Sequence, residues 1–438
     1  MKNIKLRLII MNFLQFAVWG AYLTSMGGYL FAEGHGNLIG WFYAMQGIVS
    51  IFMPAIMGII ADKWVPAQRL LGICHATAMI FIAGAGYFAS TDAIVPMFIL
   101  YSLSVAFYMP TLALSNSVAY TSLEQGGYDT VKAFPPIRVF GTVGFIVAML
   151  VCDFAGFQAS HIRFYQCAVI GLGMSLFTLL LPHCPTNKDM GNKSLMQRLG
   201  LDAFKLFKSK QMALFFIFSM LLGVSLQITN GFANGFITSF KNLPEFANTF
   251  GANHANALIS LSQVSETLCI LLIPICLKRF GIKWVMLIAM FAWVLRFGLF
   301  GLGDPGAGLW MFILSMIVYG VAFDFFNISA SLFVNENTSG EMRSSAQGLF
   351  MIMTNGIGAT VGTLRPQAVG NRFVPTEELM RCPLCNMDMG VVVNGNAIAE
   401  GWSHTWLIFA GYALAVALAF WVLFRYKHQP NKMTNTNH

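Results

Sequence analysis

Four ionisable side chains, Arg138, Glu266, Arg296 and Asp324, interrupt long apolar segments of a 438-residue chain that is 57 % hydrophobic and only 10 % charged. Charge at membrane depth costs roughly 2.5–3.5 kcal/mol per residue even on insertion scales, so such groups face a protein interior or a watery path where they pair, bind or carry ions. Their neighbours extend the chemistry. Arg138, Thr142 and Phe145 fall on one helical face through i+4 and i+7 spacing, bringing a guanidinium fork, a hydroxyl and a ring to bear on a polyhydroxylated ring compound. The plainer alternative is an arginine near a helix end that snorkels to the interface. Gln227, Asn230 and Asn234 form an amide stripe, able to read the donors and acceptors of a heterocycle or to glue two membrane helices together. Gln263 and Glu266 share a face, where a buried carboxyl either takes up and releases a proton or stays permanently paired. Tyr319 and Phe323, one turn apart, make an aromatic strip suited to a planar base, and Asp324 beside them is placed to receive sugar hydroxyls or a proton. Arg296 neutralises Glu266 or Asp324, or touches substrate directly; linear spacing leaves these open.

Residues of this kind need membrane helices to hold them. The mean hydropathy of +0.66 and recurrent apolar stretches of bilayer-spanning length predict an all-α polytopic membrane protein. Twelve spans are expected, at roughly 7-32, 37-61, 69-89, 94-119, 137-156, 162-181, 211-238, 254-277, 283-302, 307-333, 342-364 and 403-425. The net charge of +8 does not gather into a patch for nucleic acid. With the amino end inside, 19 of the 26 Lys and Arg residues fall on the cytoplasmic side, the asymmetry of an inner-membrane protein with both termini in the cytoplasm. The amino end, Met1-Lys2-Asn3-Ile4-Lys5-Leu6-Arg7, runs straight into a long span without a small-residue cleavage site, so a retained first helix is expected rather than a secretory signal.

The connection 182-210 carries six Lys and Arg residues and divides the spans six and six, predicting two pseudo-symmetric six-helix bundles, 1-181 and 211-425, with a cytoplasmic tail over 426-438. Pro54 above Gly58-x-x-x-Asp62-Lys63 is echoed by Pro274 above Lys278-Arg279, and the first resembles the loop signature between the second and third helices of the major facilitator superfamily; Asp62 then latches neighbouring helix ends, or is a solvated turn. The stretch 365-402 reads as an elaborated external loop. Its Cys382-Pro383-Leu384-Cys385 lacks a second ligand pair, so incidental or disulfide-linked cysteines are expected rather than a metal site, and the other cysteines read as packing. No cofactor is called for, and no H-E-x-x-H, P-loop or nucleotide-binding glycine motif points to an enzyme.

Phe134-Pro135-Pro136-Ile137-Arg138 with Gly141-Thr142, Leu226-Gln227-Ile228-Thr229-Asn230, Ser262-Gln263-Val264-Ser265-Glu266 and Tyr319-Gly320-Val321-Ala322-Phe323-Asp324-Phe325-Phe326-Asn327 together closely resemble the bacterial nucleoside:proton symporters of the major facilitator superfamily. The likeness also takes in Phe13-Leu14-Gln15-Phe16 with Trp19-Gly20, and Gly200-Leu201-Asp202-Ala203-Phe204. It implies proton-driven uptake of purine and pyrimidine nucleosides by alternating access, in a lipid-embedded chain functional as a monomer. It also implies a substrate-binding set of Arg138, Thr142, Phe145, Gln227, Asn230, Gln263, Glu266, Tyr319, Phe323 and Asp324. Gln227 and Asn230 are expected to read the base, the three rings to enclose it, Asp324 to meet the ribose, and Glu266 or Asp324 to carry the proton. After Asn355-Gly356 the pattern departs, and Arg365-Pro366 is expected to interrupt the eleventh helix. A proton-coupled sugar or polyol transporter of the same fold is the alternative.

Overall fold

The computed structural model describes residues 3–186, 201–338, 343–374, 378–381, 388–392 and 395–426. Its principal elements are α1 Ile4–Tyr22, α2 Met26–Ala32, α3 Ile39–Lys63, α4 Ala67–Ser90, α5 Ile94–Gln125, α6 Thr130–Phe154, α7 Ile162–Phe177, α8 Lys210–Ser239, α9 Ala255–Leu302, α10 Leu309–Asn337, α11 Arg343–Met351, α12 Ala359–Phe373 and α13 Gly395–Leu423. A backbone in lipid must satisfy its polar groups internally, which is why apolar segments of this length settle as helices. Among the described residues, ten helices are long and apolar enough to cross a membrane. One of these, α9, breaks at Gly281, whose φ of 78° and ψ of 166° suit glycine alone, and its two arms match the spans expected at 254-277 and 283-302. The span expected at 342-364 lies in a helical run of α11, a π-helical turn at Ile352–Gly358 and α12, which is too polar to count among the ten.

Three expectations are corrected. The helix of the fifth span begins before 137; α6 starts at Thr130 and carries Pro135 and Pro136 in its second turn, so the ladder loses two N–H donors there. Arg365-Pro366 does not interrupt the eleventh helix, since α12 runs through Pro366 to Phe373. The segment read as loop up to 402 contains an antiparallel ribbon, Glu378–Arg381 against Asp388–Val392, and α13 begins at Gly395 rather than 403. Cys382 and Cys385 lie outside the described residues, as does the side chain of Asp62.

The chain forms two compact units. The first comprises Met1–Met26, Trp41–Leu206 and Ser339–Thr360. Its core includes Leu8, Met11, Leu71, Cys74, Val118, Leu123 and Met174. Two glycines let α1 and α6 lie backbone to backbone: a Cβ at Gly20 would strike the main chain of Phe145, and one at Gly144 that of Phe13. Where α1 ends at Tyr22, two carbonyls freed at membrane depth are taken up by side chains, that of Tyr22 by the Arg163 guanidinium and that of Leu23 by the Tyr43 hydroxyl. The start of the linker is tied to this unit, with Gln68 Oε1 accepting the Cys184 N–H at 3.0 Å and Arg7 donating to the Leu180 carbonyl at 2.7 Å. Burial there pushes the Cys184 thiol above its ordinary pKa.

The second unit comprises Gly27–Gly40, Phe207–Thr338 and Val361–His438. An aromatic knot holds it, in which Phe236 touches Phe300, Phe312, Trp402 and Trp406 at ring separations of 5.8, 5.4, 5.7 and 5.5 Å. Here α9 and α10 pack closely because Gly320 faces the Ser265 backbone, with room for no more than hydrogen: a Cβ would lie 2.6 Å from the carbonyl oxygen.

Candidate functional site

In the first unit the site residues are built on α1 and α6. The close glycine crossing brings Phe16 beneath Arg138, whose guanidinium carbon lies 3.8 Å from the ring centre. Gly141, one turn along α6, leaves the gap this stack needs, since a Cβ there would lie 2.7 Å from Phe16 and 2.8 Å from Arg138. Trp19 continues the face, 6.3 Å from Phe16 and edge-on to Phe145 at 6.3 Å, while its Nε1–H reaches Gln46 Oε1 at 3.4 Å. Phe145 is buried, and Arg138 and Thr142 are half-buried. Arg138 and Phe145 each meet a ring of α1, Phe16 and Trp19 respectively. The sequence reading assigned neither Phe16 nor Trp19 a role. The signal available for them was their spacing of three on a first helix that also carries Gln15, an amide in an apolar run.

In the second unit the site is carried by the first arm of α9 and by α10. Tyr319 and Phe323 stack nearly parallel, 5.8 Å apart at 12°. Trp293 meets Tyr319 edge-on at 6.0 Å. Gln263 hydrogen-bonds Tyr319, and Glu266 acts electrostatically on both Tyr319 and Asp324. The α9–α10 crossing is pinned beside them by Ser265, whose hydroxyl donates to the Ile317 carbonyl, and by Ser262 at 3.1 Å from the Met316 sulfur. Asp324 is only 3 % exposed, and its Oδ2 is buried without a hydrogen bond. Two carboxyls set near one another at membrane depth cannot both carry charge cheaply.

Arg296 behaves otherwise than its charge implied. It is 1 % exposed, donates to the Ser315 carbonyl, and places its guanidinium 4.7 Å from the Tyr319 ring centre and 5.0 Å from that of Phe300. Ser315 returns a bond from its hydroxyl to the Arg296 carbonyl at 3.1 Å. Its partners are thus a carbonyl, a thioether and two rings rather than Glu266 or Asp324. The arginine backs one face of Tyr319, which leaves Phe323 as the more open ring of the stack. Gln227 and Asn230 lie half-buried on α8 of the same unit. Asn234, the third amide of the stripe, is 1 % exposed and donates to Asn256 Oδ1 at 2.8 Å, so it ties α8 to α9. No group of three or more His, Cys, Asp or Glu arranged for a metal occurs among the described residues.

A family model described as nucleoside H+ symporter matches residues 1–429. The nucleoside permease NupG of Escherichia coli (strain K12) is 46 % identical over 429 residues, 97 % of either chain. The xanthosine permease of the same organism is 45 % identical over 436 residues, 98 % of either chain. A crystal structure of the nucleoside transporter NupG superposes with a TM-score of 0.85 over 97 % of this chain and 100 % of that one, at 46 % identity. A D-xylose-proton symporter shares the fold, with a TM-score of 0.68 at 14 % identity over 96 % of this chain and 98 % of that one. Full-length agreement at that identity, on a predominantly helical major facilitator fold, admits one assignment: the chain belongs to the nucleoside H+ symporter family, multi-pass inner-membrane transporters rather than enzymes.

Proposed function

We propose that this chain takes purine and pyrimidine nucleosides up across the bacterial inner membrane, each with a proton, by alternating access. The observation that carries the reading is the buried Asp324 carboxyl, with its Oδ2 unbonded, on the same helix as the stacked Tyr319 and Phe323 rings. Gln227 and Asn230 read the base with Gln263 and Glu266 nearby, since amides offer a donor and an acceptor to the edge of either ring class. Phe145, Tyr319 and Phe323 enclose the substrate, while Arg138 and Thr142 approach its hydroxyls. The proton resides on Glu266 or Asp324, and Asp324 turns to the ribose once protonation has relieved the pair. The reorienting bodies are residues 1-181 and 211-425, with 182-210 as the cytoplasmic linker and 426-438 as a cytoplasmic tail. Counting both arms of α9 and the run over 342-364 gives twelve spans in two six-helix bundles. The Lys and Arg asymmetry supports both termini in the cytoplasm. One lipid-embedded chain carries every group the cycle uses, which supports a monomer.

Labelled uridine uptake by the purified protein in liposomes tests the reading. Accumulation above equilibrium under an inward proton gradient, abolished by an uncoupler, is expected. Gradient-independent equilibration would refute proton coupling, and uptake competed by free sugars but not by nucleosides would favour a polyol substrate.

A further inference from the structure

Gln15 precedes Phe16 on α1 and lies one turn before Trp19, the two rings that seat Arg138 and Phe145. Its side chain is fully buried and held at both ends. Nε2 donates to Thr111 Oγ1 at 2.7 Å, and Oε1 lies 2.8 Å from His75 Nε2. An amide oxygen only accepts, so His75 presents its Nε2–H here and keeps the lone pair on Nδ1. The main-chain carbonyl of Gln15 accepts from the Tyr108 hydroxyl at 2.8 Å, and the Thr111 hydroxyl in turn donates to the Tyr108 carbonyl at 2.6 Å. His75, fully buried on α4, stands edge-on to the Tyr108 ring at 5.8 Å. Side chains of α4 and α5 thus converge on a single residue of α1.

Apolar contacts alone let a membrane helix turn about its axis at little cost, whereas directional hydrogen bonds to three different groups permit one setting. A turn of α1 would carry Phe16 from beneath Arg138 and remove the ring on which the guanidinium is seated. We propose that His75 is a positioning residue for nucleoside binding: by holding Gln15 it sets the rotation of α1 so that Phe16 keeps Arg138 aimed. This rests on the reading of Arg138 as a substrate contact.

Initial rates of labelled uridine uptake into liposomes, measured against uridine concentration, test the proposal in His75→Phe, His75→Gln, Arg138→Ala and the His75→Phe/Arg138→Ala double variant. His75→Phe keeps a ring but removes the N–H, and is expected to raise the half-saturating concentration roughly five- to tenfold with the maximal rate within about twofold. His75→Gln, which can offer an amide N–H, is expected to recover most of the affinity. The double variant is expected to bind no more weakly than Arg138→Ala, because a seat without an occupant has nothing to aim. Unchanged half-saturation in His75→Phe alongside a weakened Arg138→Ala overturns the positioning role alone. Multiplying effects in the double variant, or a fall in maximal rate and detergent melting temperature at constant half-saturation, also overturn it. Normal half-saturation in Arg138→Ala overturns the site reading with it. If His75→Phe does not survive purification, Thr111→Val removes the acceptor at the other end of Gln15 and is read the same way.

Discussion

Glu266 and Asp324 differ in their surroundings. Asp324, on α10, is buried with one oxygen unbonded, while Glu266, on α9, is half-buried. Glu266→Gln keeps the shape and hydrogen-bonding capacity of the side chain but cannot titrate. Uphill accumulation of uridine in liposomes is expected to fall to equilibration, while exchange of labelled for unlabelled uridine persists; retained pH-dependent accumulation would clear Glu266 of carrying the proton. Asn230→Ala removes one amide from the base-reading pair and is expected to weaken uridine binding by about 0.5–1.5 kcal/mol, a two- to tenfold rise in half-saturating concentration. Titration calorimetry on detergent-solubilised protein checks this, and an affinity equal to wild type for several nucleosides would remove Asn230 from the site. Asn234→Ala, by contrast, acts on stability, because its amide is already spent on Asn256.

Helix crossings place these side chains, and glycine sets how close the crossings come. Gly320→Val would drive a branched side chain into the Ser265 backbone, forcing α9 and α10 apart just where Gln263, Glu266, Tyr319 and Asp324 meet. Overpacking of this kind costs about 1–3 kcal/mol. A drop in detergent melting temperature together with loss of uridine binding is expected. A variant with normal melting and binding would show that the crossing tolerates separation. The breaks in the helices obey the same economy of polar groups. The end of α1 is permitted because Arg163 and Tyr43 take up its carbonyls, and α9 turns at Gly281, where only glycine adopts the backbone angles required.

For the molecule as a whole, net uptake follows from charge carried across the bilayer. One proton moving down about 100 mV contributes about 2.3 kcal/mol, enough to bias accumulation by tens of fold before any pH gradient is counted. The Lys and Arg placement supports a cytoplasmic carboxyl end. A green fluorescent protein fused to the carboxyl end is expected to fluoresce in cells, and an alkaline phosphatase fused there to be inactive. The reverse pattern would place that end outside and invert every loop.

The family, the helical membrane fold and most of the apolar spans were legible along the chain, because hydropathy and short motifs are local and survive projection onto one dimension. Partnerships were not. Linear spacing left Arg296 open between a carboxylate and the substrate, and its packing on Tyr319 and Phe300 depends on how the arms of α9 fold back at Gly281. Gln15, Phe16 and Trp19 stood in the family likeness without a role beside Arg138, and His75 gave no linear sign of belonging with it. That association comes from Gly20 and Gly144 letting α1 and α6 touch, and from α4 and α5 reaching α1 through hydrogen bonds across 60 and 96 residues of chain. A side chain's type is set by the sequence at its own position, but what it touches is set by helix rotation and crossing distance, which only packing and hydrogen bonds between distant helices decide.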